Sequence, residues 1–297
     1  MTEASQAPRA PQVQGGAAWQ PSAREVERRA ERRRLRLRRL AIATAAVVVV
    51  FVGVALVVVT SPGWPTVRQA FFNGYHARSA LPDITRAFWL NVKMFLIAEP
   101  LILVLALAIA IARSARSPLL VPLRLVAVGY TDVVRGIPTI LLVLLFGFGM
   151  PSLQLQGIPN SPFFWATTAL VVSYSAYVAE VFRAGIESIH PSQVASAAAL
   201  GLGRGQTMRH VVVPQAVRRV VPPLLNDFIS LQKDTALAST LGVFEAVFVA
   251  QDYGNYNFNF TPYVVVAAFF VALTIPLARF TDWLGRRYLE RERAGAL

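Results

Sequence analysis

Residues 195–214 read Ala-Ser-Ala-Ala-Ala-Leu-Gly, then nine residues, then Val-Val-Val-Pro. The small, helix-favouring residues from Ala195 to Leu200 are enough for about two turns of helix. Gly201 is suited to end this helix in a left-handed conformation. Pro214 is suited to begin a second helix, because the first turn does not use the amide donor that proline lacks. The stretch therefore predicts a short helix, a turn and the start of a second helix, between two hydrophobic segments.

The composition is that of a protein with several membrane spans. Hydrophobic residues make up 55% of the 297 residues, charged residues 15%, and the mean hydropathy is +0.49. The chain has no cysteine, which excludes disulfides and thiolate metal sites. Much of the net charge of +13 comes from one N-terminal arginine run. Such a run indicates membrane topology rather than nucleic-acid binding.

Six apolar segments are candidates for membrane-spanning helices. The first, residues 40–60, has about the 20 residues that a span needs and is too long for the core of a secretory signal peptide. The fifth is less hydrophobic and falls within 220–250. The other four are 88–112, 125–150, 163–182 and 263–280.

The positions of the arginines predict which side of the membrane each loop occupies. With the N-terminus inside, the inside segments hold the run Arg24 to Arg39 and arginines in every later inside loop. The outside loops hold at most Arg68, Arg78 and Arg86. Because cytoplasmic loops carry an excess of Lys and Arg, the sequence predicts six spans with both ends in the cytoplasm. Residues 195–214 are then cytoplasmic.

These observations predict a domain organisation. Glu and Arg residues three and four apart within 24–39 are compatible with a helix. The predicted divisions are a disordered, basic cytoplasmic tail at 1–39, an extra N-terminal transmembrane helix at 40–60, a main transmembrane domain at 85–288 with a cytoplasmic loop at 187–214, and a C-terminal cytoplasmic tail at 289–297.

Residues 195–214 resemble the cytoplasmic coupling loop of bacterial ABC importer permeases, whose pattern is E-A-A, three residues, G, nine residues, I-x-L-P. The residues in register are Ala197, Gly201, Val211, Val213 and Pro214. Ala195 stands where the pattern has Glu, and Ser196 where it has its first Ala. Because this removes a charged contact at an interface, we expect the chain to pair with a second permease that keeps the Glu. A homodimer is the alternative.

Other motifs are similar to those of the polar amino acid permeases. The match covers roughly Phe88 to Arg286. The matching stretches are Tyr130–Leu141 (Y-x-D-x-x-R-G-x-P-x-x-L), Ser175–Ile186, Pro191–Gln193, Pro214–Ala216, Asn226, Lys233–Leu237 and Glu245.

The resemblance implies a fold, a function and partners. The fold is an all-α integral membrane protein, a type I ABC importer permease-like bundle with a five-helix core plus the extra N-terminal helix. The function is ATP-driven import of a polar amino acid across the bacterial cytoplasmic membrane. The implied partners are ATPase subunits that bind ATP and Mg, a second permease and an extracytoplasmic solute-binding protein. The residues expected to couple to the ATPase are Gln193, Ala195, Ser196, Ala197, Gly201 and Pro214.

The chain itself is not expected to hydrolyse ATP or to hold a cofactor. A phosphate-binding loop needs Gly-Lys followed by Ser or Thr, and the only lysines, Lys93 and Lys233, are followed by Met and Asp. The three histidines lie far apart and form no H-E-x-x-H pair. Two other classes are less favoured: an intramembrane enzyme, and an ion-coupled carrier or channel for small polar solutes.

Ionisable residues within predicted spans are costly and usually face protein or a wet cavity. Glu99 either pairs with Lys93 or another neighbour at a helix kink, or lines the transport path. Glu180 and Arg183 lie three apart and predict an ion pair that braces a gate. The full set of candidate path or gate residues is Glu99, Glu180, Arg183, Asn226, Lys233 and Asp234.

Two backbone breaks are also predicted. Adjacent opposite charges at Lys233 and Asp234 argue for a helix end within the fifth span, which either presents a helix end to cargo or pairs with other helices. Gly136 and Pro138 are expected to end one helix and redirect the chain. The basic run of residues 24–39 is expected to contact membrane lipids, and no nucleic-acid partner is expected.

Overall fold

A computed structural model describes residues 23–114 and 117–294. Every regular element in these two ranges is helical. The chain divides into two compact units, Met1–Pro65 and Thr66–Leu297. The predicted disorder of residues 1–21 lies outside the described residues.

The first unit contains one long helix, α1 (Ala23–Thr60). The basic and apolar parts of the sequence therefore belong to one uninterrupted helix. Glu25 and Arg29, four residues apart, form an ion pair at 2.7 Å, as their spacing predicts. The predicted disorder does not hold for residues 23–39, which are helical because good helix formers continue across residue 39. The predicted start of a membrane span at residue 40 stays a prediction.

The second unit begins with α2 (Trp64–Phe71), α3 (Gly74–Ser114), a 3₁₀ turn (Pro118–Leu120), α4 (Val121–Gly136), α5 (Thr139–Leu144), a π-helical turn (Leu145–Gly149) and α6 (Met150–Ser152). It continues with α7 (Pro162–Glu187), α8 (Pro191–Ala199), α9 (Arg204–Thr207), a second π-helical turn (Met208–Val212) and α10 (Val213–Asp234). A 3₁₀ helix (Thr235–Leu241), α11 (Ala246–Asn257) and α12 (Thr261–Ala294) complete it.

Two long helices exceed their predicted spans. Helix α3 begins at Gly74 rather than near Phe88, and it contains Pro82 and Pro100. The predicted domain start at residue 85 thus falls inside a helix. Helix α12 continues through Ala294, so the predicted tail from residue 289 is not separated from the sixth span by a helix end. Hydrophobicity identified the apolar parts of these helices, whereas the helices continue into more polar sequence.

The third predicted span is broken. Helix α4 ends at Gly136, Ile137 is extended, and α5 starts after Pro138. The axes on the two sides of this break differ by 106°. The predicted Gly-x-Pro turn is confirmed, because the residue before a proline is forced out of the helical conformation.

Four helices are long and apolar enough to cross a membrane, or five if the bent pair counts as one span, among the residues that the structure describes. The predicted fifth span over 220–250 is absent from this set. Its sequence is divided among α10, a 3₁₀ helix and α11, and it carries Asp227, Lys233 and Asp234. The six-span topology is therefore still a prediction.

Helix α7 is the centre of the second unit. It packs against α3, α4, α5 and α10. Its alanines at 166, 169, 176 and 179 are buried, and such small side chains let helices in membranes approach closely. A Cβ atom added at Gly185 would lie 2.1 Å from Cγ1 of Val220 on α10. A larger residue at Gly185 would therefore push α7 and α10 apart.

The beginning and the end of the second unit are joined by hydrogen bonds. The amide of Phe260 donates to the carbonyl of Ala70 at 2.7 Å. The amide of Asn73 donates to Oγ1 of Thr261 at 3.1 Å. Asn259 also donates from Nδ2 to the carbonyl of Gln69, 190 positions away in sequence, at 2.9 Å. The turn before α3 and the turn before α12 therefore meet; we call this contact the closing junction.

Candidate functional site

The segment of residues 187–214 folds as a helical hairpin. Helix α8 is capped at its start by His190, whose Nδ1 accepts a hydrogen bond from the amide of Ser192 at 3.2 Å. At its end, Gly201 has a φ of 78°. The amide of Gly201 donates to Ala198 at 3.0 Å, and the amide of Leu202 donates to Ala197 at 3.1 Å. This is a Schellman motif, and it confirms the predicted left-handed end at Gly201.

The second helix of this hairpin begins earlier than predicted. It starts at Arg204, and Oε1 of Gln206 accepts a hydrogen bond from the amide of Gly203 at 3.0 Å. Helical backbone then continues through the π-helical turn into α10. Pro214 lies in the first turn of α10, as predicted, but helical backbone already precedes α10, which was not predicted. A proline inside a helix clashes with the carbonyl four residues earlier, and the wider π-helical turn just before Pro214 accommodates it.

Most of the predicted coupling residues lie on the surface of this hairpin. Gln193, Ala195, Ser196, Gly201 and Pro214 are exposed. Ala197, in contrast, is only 3% exposed and packs inward. Ala195, at the position where the family pattern has Glu, is thus accessible to a partner. Ala197, which matches the last alanine of the pattern, packs within the hairpin instead.

Glu180 lies at the centre of a group of arginines. Its Oε2 is 3.0 Å from Nη1 of Arg113 on α3 and 3.7 Å from Nη1 of Arg135 on α4. Arg183 on the same helix pairs with both Glu180 and Glu187. The ion pair predicted from the spacing of Glu180 and Arg183 is confirmed. We call these five residues the Glu180 cluster.

The Glu180 cluster holds three helices together. Arg113 is only 11% exposed, and its Nη1 also donates to Oγ1 of Thr131 on α4 at 2.6 Å. The carbonyl of Arg135 accepts a hydrogen bond from the hydroxyl of Tyr177 on α7 at 3.3 Å. No local sequence pattern indicates that Arg113 joins Glu180, because the two residues are 67 positions apart.

A second group of charges lies where α3, α7 and α10 pack together. Glu99 on α3 and Asp227 on α10 are half-buried and close enough for their carboxylates to interact electrostatically. Oδ2 of Asp227 is buried with no hydrogen-bond partner among the described residues. Asp234, two turns further along α10, accepts a hydrogen bond from the hydroxyl of Tyr174 on α7 at 2.8 Å. We call Glu99, Asp227 and Asp234 the carboxylate group.

None of these three carboxylates forms an ion pair with a described cationic side chain. The pairing of Glu99 with Lys93 that we considered is not formed, and Nζ of Lys93 lies instead 5.9 Å from the ring centre of Phe163. The helix end predicted at Asp234 is confirmed. Asn226 and Lys233 are exposed, so they do not belong to the carboxylate group.

A buried polar network supports this region from α3 and α11. Glu245 is fully buried and caps α11, accepting hydrogen bonds from the amides of Val247 and Phe248 at 3.0 and 2.9 Å. Asn91 of α3 donates to Oε2 of Glu245 at 2.8 Å and to Oγ1 of Thr235 at 3.2 Å. Glu245 is recognisable in the sequence only as part of a motif. Asp227 was not predicted as a site residue, although its seven-residue spacing from Asp234 places both on one helix face.

The chain is similar to subunits of known importers. A family model described as "Binding-protein-dependent transport system inner membrane component" matches residues 121–290. The probable glutamine ABC transporter permease protein GlnM of Bacillus subtilis (strain 168) is 34% identical over 189 residues, which are 63% of this chain and 82% of that protein. The glutamate transport system permease protein GluC of Corynebacterium glutamicum is 33% identical over 207 residues, covering 66% and 90%.

The fold of the chain is also similar to solved structures of ABC transporters. The crystal structure of an amino acid ABC transporter with histidines superposes with a TM-score of 0.64 and 30% sequence identity, covering 70% of this chain and 94% of that one. An inward-facing form of the MetNI methionine ABC transporter superposes with a TM-score of 0.57 at 19% identity, covering 69% and 95%. The second likeness concerns the fold alone.

The fold, the helical hairpin and these matches define an inner-membrane permease subunit of a binding-protein-dependent importer. The chain belongs to the polar amino acid permease family of ABC transporters. It is a multi-pass membrane subunit that works with separate ATPase and binding-protein components, and permeases of this family do not hydrolyse ATP themselves. The two alternative classes, an intramembrane enzyme and an ion-coupled carrier, are therefore rejected.

Proposed function

We propose that the transported amino acid passes between α3, α7 and α10, next to the carboxylate group. The observation that supports this path is the absence of a described cationic partner for any of the three carboxylates. An uncompensated charge inside a membrane protein is expensive and is usually kept for a function. Oδ2 of Asp227 is buried without a hydrogen-bond partner among the described residues, and we expect a cargo ammonium to bind there.

The cargo of this path is a polar amino acid with at least one positive group. Every amino acid supplies an α-ammonium, and a cationic side chain supplies a second group for the same carboxylates. Relatives of this chain are named for glutamine, glutamate and arginine transport. The charge of the carboxylate group favours arginine over glutamine and glutamine over glutamate.

The path is tested by uptake into vesicles that contain the whole complex and its binding protein. We expect Asp234→Asn to lower uptake at least tenfold, because a neutral amide does not compensate a cargo ammonium. Asp252→Asn is the matched control: Asp252 is an exposed aspartate on α11, and we expect its uptake to stay within twofold of wild type. Equal losses in the two variants would contradict the path.

The remaining candidate residues flank this path. Glu180 and Arg183 form a brace at the end of α7 that leads into the hairpin, and we expect them to fix the position of a gate. Asn226 and Lys233 precede the two aspartates of the carboxylate group on α10. Because both are exposed, they are accessible to the cargo or to a second permease.

The hairpin of residues 187–214 is proposed to be the coupling loop that contacts an ATPase subunit. The supporting observation is that its small, exposed residues are held in a fixed turn by the Schellman motif at Gly201. Small side chains let a partner helix or groove approach closely. In this arrangement ATP and Mg bind to the partner subunits, and the contact at Gln193, Ala195, Ser196 and Gly201 transmits their movement.

A pair of glycine variants tests the coupling role. Gly201 is left-handed with a φ of 78°, whereas Gly203 has a φ of −64°; both are exposed. We expect Gly201→Asp to abolish the stimulation of ATPase activity by the binding protein. Gly203→Asp adds the same charge two residues away and should leave the stimulation intact, because Asp is favoured at a helix N-cap. Equal effects would indicate a general charge effect and would contradict a role for the turn.

Topology and stoichiometry complete the proposal. The chain has six spans with both ends in the cytoplasm, and it pairs with a second permease that supplies the glutamate replaced here by Ala195. Since the chain has no cysteine, single-cysteine variants report sidedness directly. We expect Ala195→Cys to be labelled only from the inside and Asn255→Cys only from the outside. A purified complex with two copies of this chain and no second permease would contradict the heterodimer.

A further inference from the structure

The charge on helix α1 is divided unevenly along its length. Residues 23–31 contain three arginines and three glutamates, and Arg29 pairs with Glu25 at 2.7 Å. Residues 32–39 contain six arginines and no acidic residue. All six are exposed, and no described carboxylate pairs with them. We call residues 32–39 the arginine collar.

In a bilayer spanned by residues 40–60, the part of the arginine collar next to Leu40 would lie at the depth of the lipid headgroups. The apolar segment from Leu40 to Thr60 is about 31 Å long as a helix, which equals the hydrocarbon thickness of a bilayer. The collar adds about 12 Å beyond it, and the headgroup layer of one leaflet is about 5–8 Å thick. Because α1 is one continuous helix, the collar leaves the membrane in line with the span, and the charge-balanced residues 23–31 lie further out in water.

One face of α1 connects the collar to the apolar segment. A shallow groove on this helix is lined by Arg32, Leu35, Arg36, Arg39, Leu40 and Ala43. Its three guanidinium groups lie within two turns of helix on the same side. Guanidinium groups bind phosphate oxygens in a bidentate manner. The end of the groove formed by Leu40 and Ala43 is apolar and belongs to the start of the apolar segment.

We propose that this groove binds an anionic phospholipid of the inner leaflet. The headgroup phosphate lies on Arg32, Arg36 and Arg39, and an acyl chain packs along Leu40 and Ala43. A lipid explains both halves of the groove, since a nucleic acid or an acidic protein segment would use the arginines but not the adjoining apolar residues.

The test uses the full complex in vesicles. The chain has no cysteine, so Ala46→Cys, one turn deeper than the groove, carries a single fluorescent label. The probe is phosphatidylglycerol with brominated acyl chains, compared with brominated phosphatidylcholine, and the readout is quenching of the label. We expect about a tenfold preference for phosphatidylglycerol, since each arginine near a surface contributes strongly to anionic lipid binding. In 1 M salt, where the Debye length is about 3 Å, the preference falls below about threefold.

Two triple variants remove the same number of charges from the same helix. Replacing Arg32, Arg36 and Arg39 by Gln should reduce the preference to less than about twofold. Replacing Arg24, Arg28 and Arg29 by Gln should leave it nearly unchanged. A third variant, with Lys at residues 32, 36 and 39, keeps the charge that orients the span and should retain most of the preference, which separates lipid binding from inverted topology.

Several results would overturn the proposal. One is equal quenching by the two lipids in the wild-type complex. Another is an equal loss of preference in the two Gln variants, which would reflect the net charge of α1 rather than the groove. Dissociation of an ATPase subunit from the variant lacking the collar arginines, with the lipid preference intact, would assign the arginine collar to a protein contact instead.

Discussion

The second unit contains two groups of charged side chains that differ in how their charge is balanced. In the Glu180 cluster, one carboxylate is surrounded by arginines from three helices. In the carboxylate group, three acidic side chains have no described cationic partner. A balanced group gains from its own pairing, whereas an unbalanced one leaves a cost that a ligand can offset. The comparison therefore supports a stabilising role for the first group and the proposed transport role for the second.

The largest expected effect is that of Glu180→Gln on stability. The change leaves Arg113, only 11% exposed, beside other arginines without a carboxylate, and breaking a buried pair in this way costs about 3–5 kcal/mol. Denaturation of the purified complex in detergent measures the loss. Glu187→Gln is the control, because Glu187 also pairs with Arg183 but is 61% exposed, and we expect less than about 1 kcal/mol. Similar losses in the two variants would refute a structural role that depends on burial.

We expect the opposite pattern for Asp227→Asn, in which uptake falls while stability is nearly unchanged. Oδ2 of Asp227 has no partner to lose among the described residues, and removing one of several like charges relieves repulsion with Glu99. We expect stability to change by less than about 1 kcal/mol, while uptake falls about thirtyfold, which corresponds to about 2 kcal/mol. Parallel measurements of uptake and denaturation check this. A variant that loses stability and uptake together would remove the distinction between the two groups.

Two tyrosines of α7 sharpen the comparison, because each donates a hydrogen bond to a member of one group only. Tyr174 donates to Asp234 at 2.8 Å, and Tyr177 donates to the carbonyl of Arg135 at 3.3 Å. A hydrogen bond to a charged group contributes about 1.5–3 kcal/mol and a long neutral one less. We expect Tyr174→Phe to lower uptake about fivefold, and Tyr177→Phe to leave uptake unchanged with a small loss of stability. The reverse assignment of effects would show that the groups are not independent.

The smallest expected effect is that of Arg135→Gln. Arg135 is 40% exposed, and its Nη1 lies 3.7 Å from Glu180, so the pair resembles a surface salt bridge worth about 0.5 kcal/mol. Arg113→Gln removes a charge of the same sign from the same carboxylate at 3.0 Å and should cost several times more. Denaturation of both variants measures the ratio. A ratio near one would mean that burial does not set the strength of the cluster.

Local sequence rules predicted the local structure well. Gly201 was predicted to be a left-handed helix end, and Gly136 with Pro138 a break, because glycine and proline act on their own backbone and that of adjacent residues. Pro214 lies in the first turn of α10 as predicted, but the π-helical turn before it was not predicted. A π-helical turn next to a proline needs helix on both sides of it. No single residue type predicts such a turn.

The candidate site was only partly predictable. Glu180 and Arg183 are neighbours on one helix, so their spacing was enough. Arg113 and Arg135 join them only because α3 and α4 pack on α7. This packing could not be predicted from the sequence. Asp227 was missed because a single aspartate beside Asn226 looks like part of a polar turn, and its meaning depends on Glu99 from a different helix.

The closing junction has a consequence for the order of events during synthesis. Asn73 and Thr261 are 188 positions apart, so at about 5–20 residues per second the ribosome needs roughly 10–40 s to supply the second partner. During that interval the turn before α3 has already been synthesised, but its hydrogen-bond partners before α12 have not. The nascent chain therefore remains partly assembled, and a truncation before α12 would prevent the closing junction from forming.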